Sequence, residues 1–227
     1  MKRGGSEAAK RRAGESAAAA VDDGDVVGLG TGSTAAHAIR ELGRRVDAGL
    51  DVRGIPTSFQ SRELARELEI PLASLDEATP DVAIDGADQA ADGQLIKGGG
   101  AAHAREKVVD AAADRLLIVV DDGKLADALS IPVPVEVLPA AREPVGNRVR
   151  ARGGEPALRR AERKDGPVVT DNGNLVLDCD FGTIDDPAAL AGELAAMPGV
   201  VAHGLFVDLV DELHVGDADG VTVRQFD

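Results

Sequence analysis

Tryptophan and tyrosine are absent from the 227 residues, phenylalanine occurs four times, and cysteine occurs once, at Cys179. A single cysteine excludes an internal disulfide and any cysteine-based zinc cluster, and it suits a reducing compartment. Lysine is scarce as well. Six lysines stand against 26 aspartates, and the whole chain carries 40 acidic and 25 basic residues, a net charge of −15. A chain this acidic repels a phosphate backbone, so nucleic acid is not an expected partner. No apolar run reaches the roughly 18–20 residues that a membrane helix needs, so no membrane partner is expected either. The start is charged at Lys2, Arg3, Glu7, Lys10, Arg11, Arg12 and Glu15, and lacks the unbroken apolar stretch of a signal peptide. A soluble, cytoplasmic protein is the expectation.

Apolar residues make up 44 % of the chain, enough for one substantial core or for a main domain with a smaller one beside it. The acids are spread along the chain among apolar periods and do not collect in a tail. They read as a highly charged solvated surface, such as proteins of a salt-rich cytoplasm carry.

Residues 7–21 predict an alanine-rich helix, closed by Asp22-Asp23-Gly24-Asp25. Val26 to Leu29 reads as a buried strand, followed by Gly30-Thr31-Gly32-Ser33-Thr34 and a helix from about Ala35 to Val46. The same grammar continues with a strand over 50–55, a helix over 59–69, a strand at 82–84, a glycine-rich loop at 98–100, a helix over 102–112 and a strand over 115–120. Alternating strand and helix is the signature of a parallel sheet. After about Ile131 the pattern changes. Val133–Val137, Val168–Thr170 and Leu175–Leu177 are strand-like, with the turn signature Asp171-Asn172-Gly173-Asn174 between the last two. A helix over 188–197 and a strand over 200–207 follow, and Leu205–Val207 with Glu212–Val215 is expected to return to the main sheet. The predicted fold class is α/β: a Rossmann-like doubly wound main domain over 1–130 plus 206–227, with a smaller α+β, ferredoxin-like subdomain over 131–205.

Four segments carry candidate chemistry. The Gly28–Thr34 loop combines exposed backbone N–H groups, the positive end of the following helix and three hydroxyls. It suits a phosphate or a run of sugar hydroxyls, or is simply a tight turn. It is neither a dinucleotide fingerprint nor a Walker A loop, since no lysine precedes Ser33. In Asp85-Gly86-Ala87-Asp88, two carboxylates lie three residues apart at the C-terminal end of a strand. They can push each other's pKa apart, hold a divalent cation, or be an acidic surface loop. In Lys97-Gly98-Gly99-Gly100, three glycines let the backbone approach a ligand closely, with a cation beside them. Glu106 then falls early in the next helix, as a candidate general base or a helix-dipole partner. Lys124 lies in the turn after the 115–120 strand, again at the C-terminal edge of the sheet. The four histidines, at 37, 103, 203 and 214, form no cluster at metal-ligand spacing.

Taken together these segments, with Ala101-Ala102, Arg105-Glu106-Lys107, Pro132–Val137 and Val169–Asn174, resemble the ribose-5-phosphate isomerase A family from about residue 10 to the C-terminus. The resemblance implies an aldose–ketose isomerase acting on ribose 5-phosphate and ribulose 5-phosphate, with no metal and no cofactor, in a homodimer or homotetramer. It implies that Thr31, Gly32, Ser33 and Thr34 hold substrate. It implies that Asp85 and Asp88, with Gly86 and Ala87 between them, meet the sugar hydroxyls and help ring opening. Lys97 with Gly98, Gly99 and Gly100 would stabilise the oxygen that turns negative, Glu106 would move the proton, and Lys124 would bind the phosphate end. The family usually has Glu where this chain has Gln89, and Leu-Thr where it has His103-Ala104. Two rival readings compete with this one. A metal-dependent phosphosugar enzyme would use Asp85 and Asp88 as ligands. A non-catalytic phosphosugar sensor would normally be joined to a basic DNA-binding module, for which this chain has neither the length nor the charge.

Overall fold

The computed structural model describes residues 6–163 and 165–226. Residues 1–5, which include Lys2 and Arg3 of the charged start, lie outside the described part, as do 164 and 227. The chain divides into two compact units. The first comprises the described residues up to Ala87, Arg105–Leu125 and the stretch from Leu209. The second comprises Asp88–Ala104 and Ala126–Asp208.

In the first unit a six-stranded sheet contains β1 (Val26–Leu29), β2 (Arg53–Pro56), β3 (Val82–Gly86), β6 (Arg115–Asp121), β12 (Glu212–Gly216) and β13 (Val221–Gln225). Its order is β13-β12-β6-β3-β1-β2, parallel except for β13 at one edge. Leu116 to Val120 are each at most 1 % exposed. Such an uninterrupted apolar run is what a parallel strand needs when both its faces are covered. One face packs under α1 (Glu7–Ala18), α2 (Ser33–Asp47) and α3 (Phe59–Glu67), with Ala13, Ala17, Ile39, Leu42, Ala65, Val27, Ile84, Leu117 and Val119 in one cluster. The small residues of α1, Ala9, Ala13 and Ala17, recur every four positions and form its buried stripe. On the opposite face Val109, from α4 (His103–Asp110), packs with Val26 and Ile55.

From β1 the chain moves outward to β2, then crosses back to place β3 on the other side of β1. This reversal makes the C-terminal ends of β1 and β3 a topological switch point, where open α/β sheets bind ligands. The loops that begin at Gly30 and at Ala87 leave the sheet there.

The second unit holds a four-stranded antiparallel sheet of β7 (Val133–Val137), β8 (Glu155–Leu158), β9 (Leu175–Asp180) and β10 (Val200–His203), ordered β10-β7-β9-β8. With α5 (Arg142–Arg150) and α6 (Pro187–Ala195), the chain order is β-α-β-β-α-β, the ferredoxin-like arrangement expected for the subdomain. Val133, Val135 and Val137 join Val145, Val149, Leu177, Cys179 and Leu194 in a core. Burial pushes the Cys179 thiol up to about 12, so it stays protonated. A smaller sheet of β4 (Gln89–Ala91), β5 (Gln94–Ile96) and β11 (Leu205–Phe206) completes this unit.

Glu136 is fully buried in the second unit. Its Oε1 accepts from Thr170 Oγ1 at 2.9 Å, Asn172 Nδ2 at 3.0 Å and Asn174 Nδ2 at 2.8 Å. The predicted turn over 171–174 therefore exists, closed by Thr170 N–H to Asn174 O at 2.9 Å. Its first arm is not a strand. Val169 makes only an isolated bridge to Leu175, and β9 pairs with β7 and β8 instead. The predicted 200–207 strand is split. Val200–His203 joins the four-stranded sheet, and Leu205–Phe206, expected in the main sheet, pairs with β5.

Candidate active site

In the first unit, three strand-to-loop turns lie at the C-terminal ends of β1, β3 and β6, which are neighbours in the sheet. Asp85 is fully buried at the end of β3, and its Oδ1 accepts the N–H of Thr31 at 3.1 Å and of Gly86 at 2.6 Å. One carboxylate oxygen thus ties the first loop to the second. The fit is tight enough to require glycine at 30, because a Cβ there would lie 2.3 Å from Asp85 Oδ1 and 2.6 Å from its Cα.

Gly32 caps α2 with no side-chain hydrogen bond to the helix end among the described residues. The first turn of this 15-residue helix thus has no side-chain cap, and beside it the Ser33 hydroxyl is exposed while Thr34 is buried. That is a neutral anion-binding end, its charge preference coming from the helix dipole. The Thr31 hydroxyl donates to Ser58 Oγ at 2.7 Å and lies 3.0 Å from Thr57 Oγ1, which donates to Leu29 O at 3.0 Å. Thr57 and Ser58 were missed from the sequence. They occupy the turn after β2, on the same sheet edge, and the signal was present in Ser58 and Ser61, which form a capping box for α3.

Glu106 lies in the first turn of α4 and is 4 % exposed. The adjacent Lys107 is half-buried, and desolvation pushes its ammonium down to about 8. Lys124 ends a short 3₁₀ turn over Asp122–Lys124, capped by Asp121, whose Oδ1 accepts Gly123 N–H at 3.1 Å. Lys124 itself is half-buried.

In the second unit, Lys97 ends the β4–β5 hairpin and is 2 % exposed, with its ammonium 5.1 Å from the centre of the Phe206 ring. Gly98 has φ +107°, and a Cβ there would strike the His103 ring at 2.8 Å. Gly99 and Gly100 are exposed. Asp88 lies beside this loop, its Oδ2 accepting the N–H of Gly99 at 2.7 Å. Arg159, also missed from the sequence, donates through Nη1 to the carbonyls of Gly98 at 2.8 Å and Gly99 at 3.2 Å. Its Nε and Nη2 clasp the two carboxylate oxygens of Asp178.

The structure thus brings Thr31–Thr34, Asp85–Ala87 and Lys124 to one sheet edge of the first unit, and Asp88 and Lys97–Gly100 together within the second. Among the described residues, no group of three His, Cys, Asp or Glu side chains converges as ligands of a metal ion. No described helix is long and apolar enough to cross a membrane.

Comparison with known proteins covers nearly the whole chain. The family model described as ribose 5-phosphate isomerase A (phosphoriboisomerase A) matches residues 53–220. The chain is 72 % identical to the ribose-5-phosphate isomerase A of Haloarcula marismortui, over 99 % of this chain and 98 % of that protein. It is similar to the solved ribose 5-phosphate isomerase A of Methanocaldococcus jannaschii, with a TM-score of 0.92, 46 % identity, and coverage of 96 % and 98 % of the two chains. A D-ribose-5-phosphate isomerase solved in complex with phospho-erythronic acid gives a TM-score of 0.93 at 42 % identity, covering 96 % and 97 %. A parallel sheet with loops at its switch point, a separate antiparallel unit and sequence identity along the whole length meet in one assignment: the chain belongs to the ribose 5-phosphate isomerase A family and is an isomerase.

Proposed function

We propose that the chain interconverts D-ribose 5-phosphate and D-ribulose 5-phosphate through a cis-enediolate, with Glu106 as the base, in the non-oxidative branch of pentose phosphate metabolism. The observation that carries this reading is Glu106 itself, a carboxylate 4 % exposed in the first turn of a helix. A proton α to a carbonyl is weakly acidic, and its removal needs a positioned base within hydrogen-bond reach. Glu106 takes the proton from C2 of the open-chain aldose and returns it to C1. The matching transfer of a hydroxyl proton leaves the ketose.

The negative oxygen that forms needs preorganised donors, each worth about 3–4 kcal/mol when well placed. Lys97 and the Gly98–Gly100 backbone supply them. Asp85 and Asp88 bind the sugar hydroxyls and assist ring opening, with Gly86 and Ala87 giving close access. Thr31, Gly32, Ser33 and Thr34 hold substrate at the α2 end, and Lys124 meets the phosphate. The phospho-erythronic acid in the related complex is a phosphorylated sugar acid, which supports a phosphosugar as the ligand. A dimeric or tetrameric assembly and a cytoplasmic location belong to the same proposal. The net charge of −15, with relatives from halophilic archaea, supports function at high salt.

The test is turnover of ribose 5-phosphate by purified protein in molar KCl with EDTA present, beside Glu106→Gln. The proposal expects turnover by the unaltered chain and a loss of about a hundredfold or more in a folded variant. Binding without turnover would make the chain a phosphosugar sensor. Inhibition by EDTA would bring back the metal-dependent reading of Asp85 and Asp88.

A further inference from the structure

The glycine loop of the second unit is held from one side by an ion pair that the mechanism above does not use. Arg159 engages three nitrogens at once. Nε and Nη2 grip Asp178, and Nη1 is shared between the carbonyls of Gly98 and Gly99. Its own backbone is fixed, with its N–H on Val176 O and its carbonyl accepting from Val168, both at 2.9 Å. The side chains of Arg159 and Asp178 are only 15 % and 29 % exposed, so water competes weakly for the pair. We propose that Arg159, braced by Asp178, is a positioning residue that turns the Gly99 carbonyl away from the substrate, so that the loop presents the Gly100 N–H to the oxygen that becomes negative. This rests on the reading of Lys97–Gly100 as the loop that meets that oxygen.

The argument is one of peptide geometry. In a trans peptide the carbonyl and the N–H point to opposite sides of the chain. The Gly98–Gly99 peptide is already held by the turn, since the Gly98 carbonyl also accepts the Ala101 N–H at 3.0 Å and the Gly99 N–H is taken by Asp88 at 2.7 Å. Fixing the Gly99 carbonyl sends the Gly100 N–H the other way. Glycine resists neither orientation of its flanking peptides, so the Gly99–Gly100 peptide takes its orientation from the Arg159 contact. An unheld peptide that flipped would aim a carbonyl dipole at a developing anion. Lysine cannot replace the arginine, because one ammonium cannot span a carboxylate and two carbonyls with the geometry of a planar fork.

The experiment uses full-length Arg159→Ala and Arg159→Lys in molar KCl. The expected result for Arg159→Ala is a fall in kcat of about ten- to a hundredfold, the scale of a small misplacement of reacting groups, with KM within about twofold and a loss larger than any drop in the folded fraction. Arg159→Lys should recover little of the loss. Millimolar guanidinium added to Arg159→Ala should restore part of kcat. Amide exchange at Gly100 should be faster in Arg159→Ala than in the unaltered protein. A wild-type kcat in Arg159→Ala overturns the proposal. So does a loss of activity that only follows the folded fraction. If the unaltered chain does not isomerise at all, it is the functional reading that fails. Exchange at Gly100 still decides this inference, and an unchanged rate there ends it.

Discussion

In the first unit, the loops after β1 and β3 end parallel strands and offer backbone N–H groups and hydroxyls. Asp85 is turned inward to hold Thr31 and Gly86. In the second unit, the glycine loop follows an antiparallel hairpin and is held by ionised side chains, Asp88 on one side and the Arg159–Asp178 pair on the other. The difference follows from what each sheet can do. Adjacent parallel strands in register already fix where their C-terminal ends lie, so neutral donors need little further support. An exposed run of glycines has no such register and must be fixed by charge-assisted hydrogen bonds. Substitutions should therefore act through steric fit in the first unit and through polar satisfaction in the second.

The largest effect on stability should come from the second unit. Glu136→Leu leaves Thr170, Asn172 and Asn174 without their shared acceptor, and should destabilise by about 3 kcal/mol in denaturant unfolding at high salt. Glu136→Gln keeps an acceptor oxygen and should cost clearly less. Equal losses for the two would mean that the charge of the carboxylate, and not an acceptor oxygen as such, matters there.

A smaller effect is expected at the first unit's switch point. Gly30→Ala drives a methyl into Asp85 and should cost about 1–3 kcal/mol, whereas at Gly86 the nearest atoms to a new Cβ are 3.7 Å away and Gly86→Ala should stay within about 0.5 kcal/mol. Thermal unfolding of the pair checks this, and indistinguishable midpoints would break the steric account.

The smallest effect concerns pH. Burial holds His214 below its ordinary pKa, with Glu212 opposing in part. The folded state thus favours neutral His214, while the unfolded chain takes up the proton first as pH falls. The contribution of this group is complete above the unfolded value of about 6.5 and is lost as pH falls from there through the lowered folded value. His214→Gln should flatten the fall in unfolding midpoint between about pH 7 and 5.5, and parallel slopes would contradict the assignment.

The same contrast governs what could be read from the sequence. Strands covered on both faces leave uninterrupted apolar runs, so Val26–Leu29, Val82–Ile84 and Arg115–Val120 were legible with the glycine turns after β1 and β3. The second unit hides its elements. In α5, Pro144 interrupts a segment whose buried side chains are Val145 and Val149, and that helix was not foreseen. β8 contains Pro156 and lies at a sheet edge, which is where a strand tolerates proline. β4 and β5, three residues each, are too short to show a period. The site divides in the same way. Glycines mark the loops locally, but Arg159 reaches Gly99 across 60 residues of sequence, and no local pattern announces that contact.

The contrast between neutral donors at the loops after β1 and β3 and charge at the glycine loop is tested most directly by steady-state kinetics of Lys97→Met beside Ser33→Ala on ribose 5-phosphate in molar KCl. Lys97→Met should lower kcat by about a hundredfold or more with a modest change in KM, as loss of a group that meets charge only in the transition state requires. Ser33→Ala should raise KM and leave kcat within a few-fold, as for a group that binds ground state and transition state alike. The reverse pattern, with kcat lost at Ser33 and only KM altered at Lys97, would contradict the account.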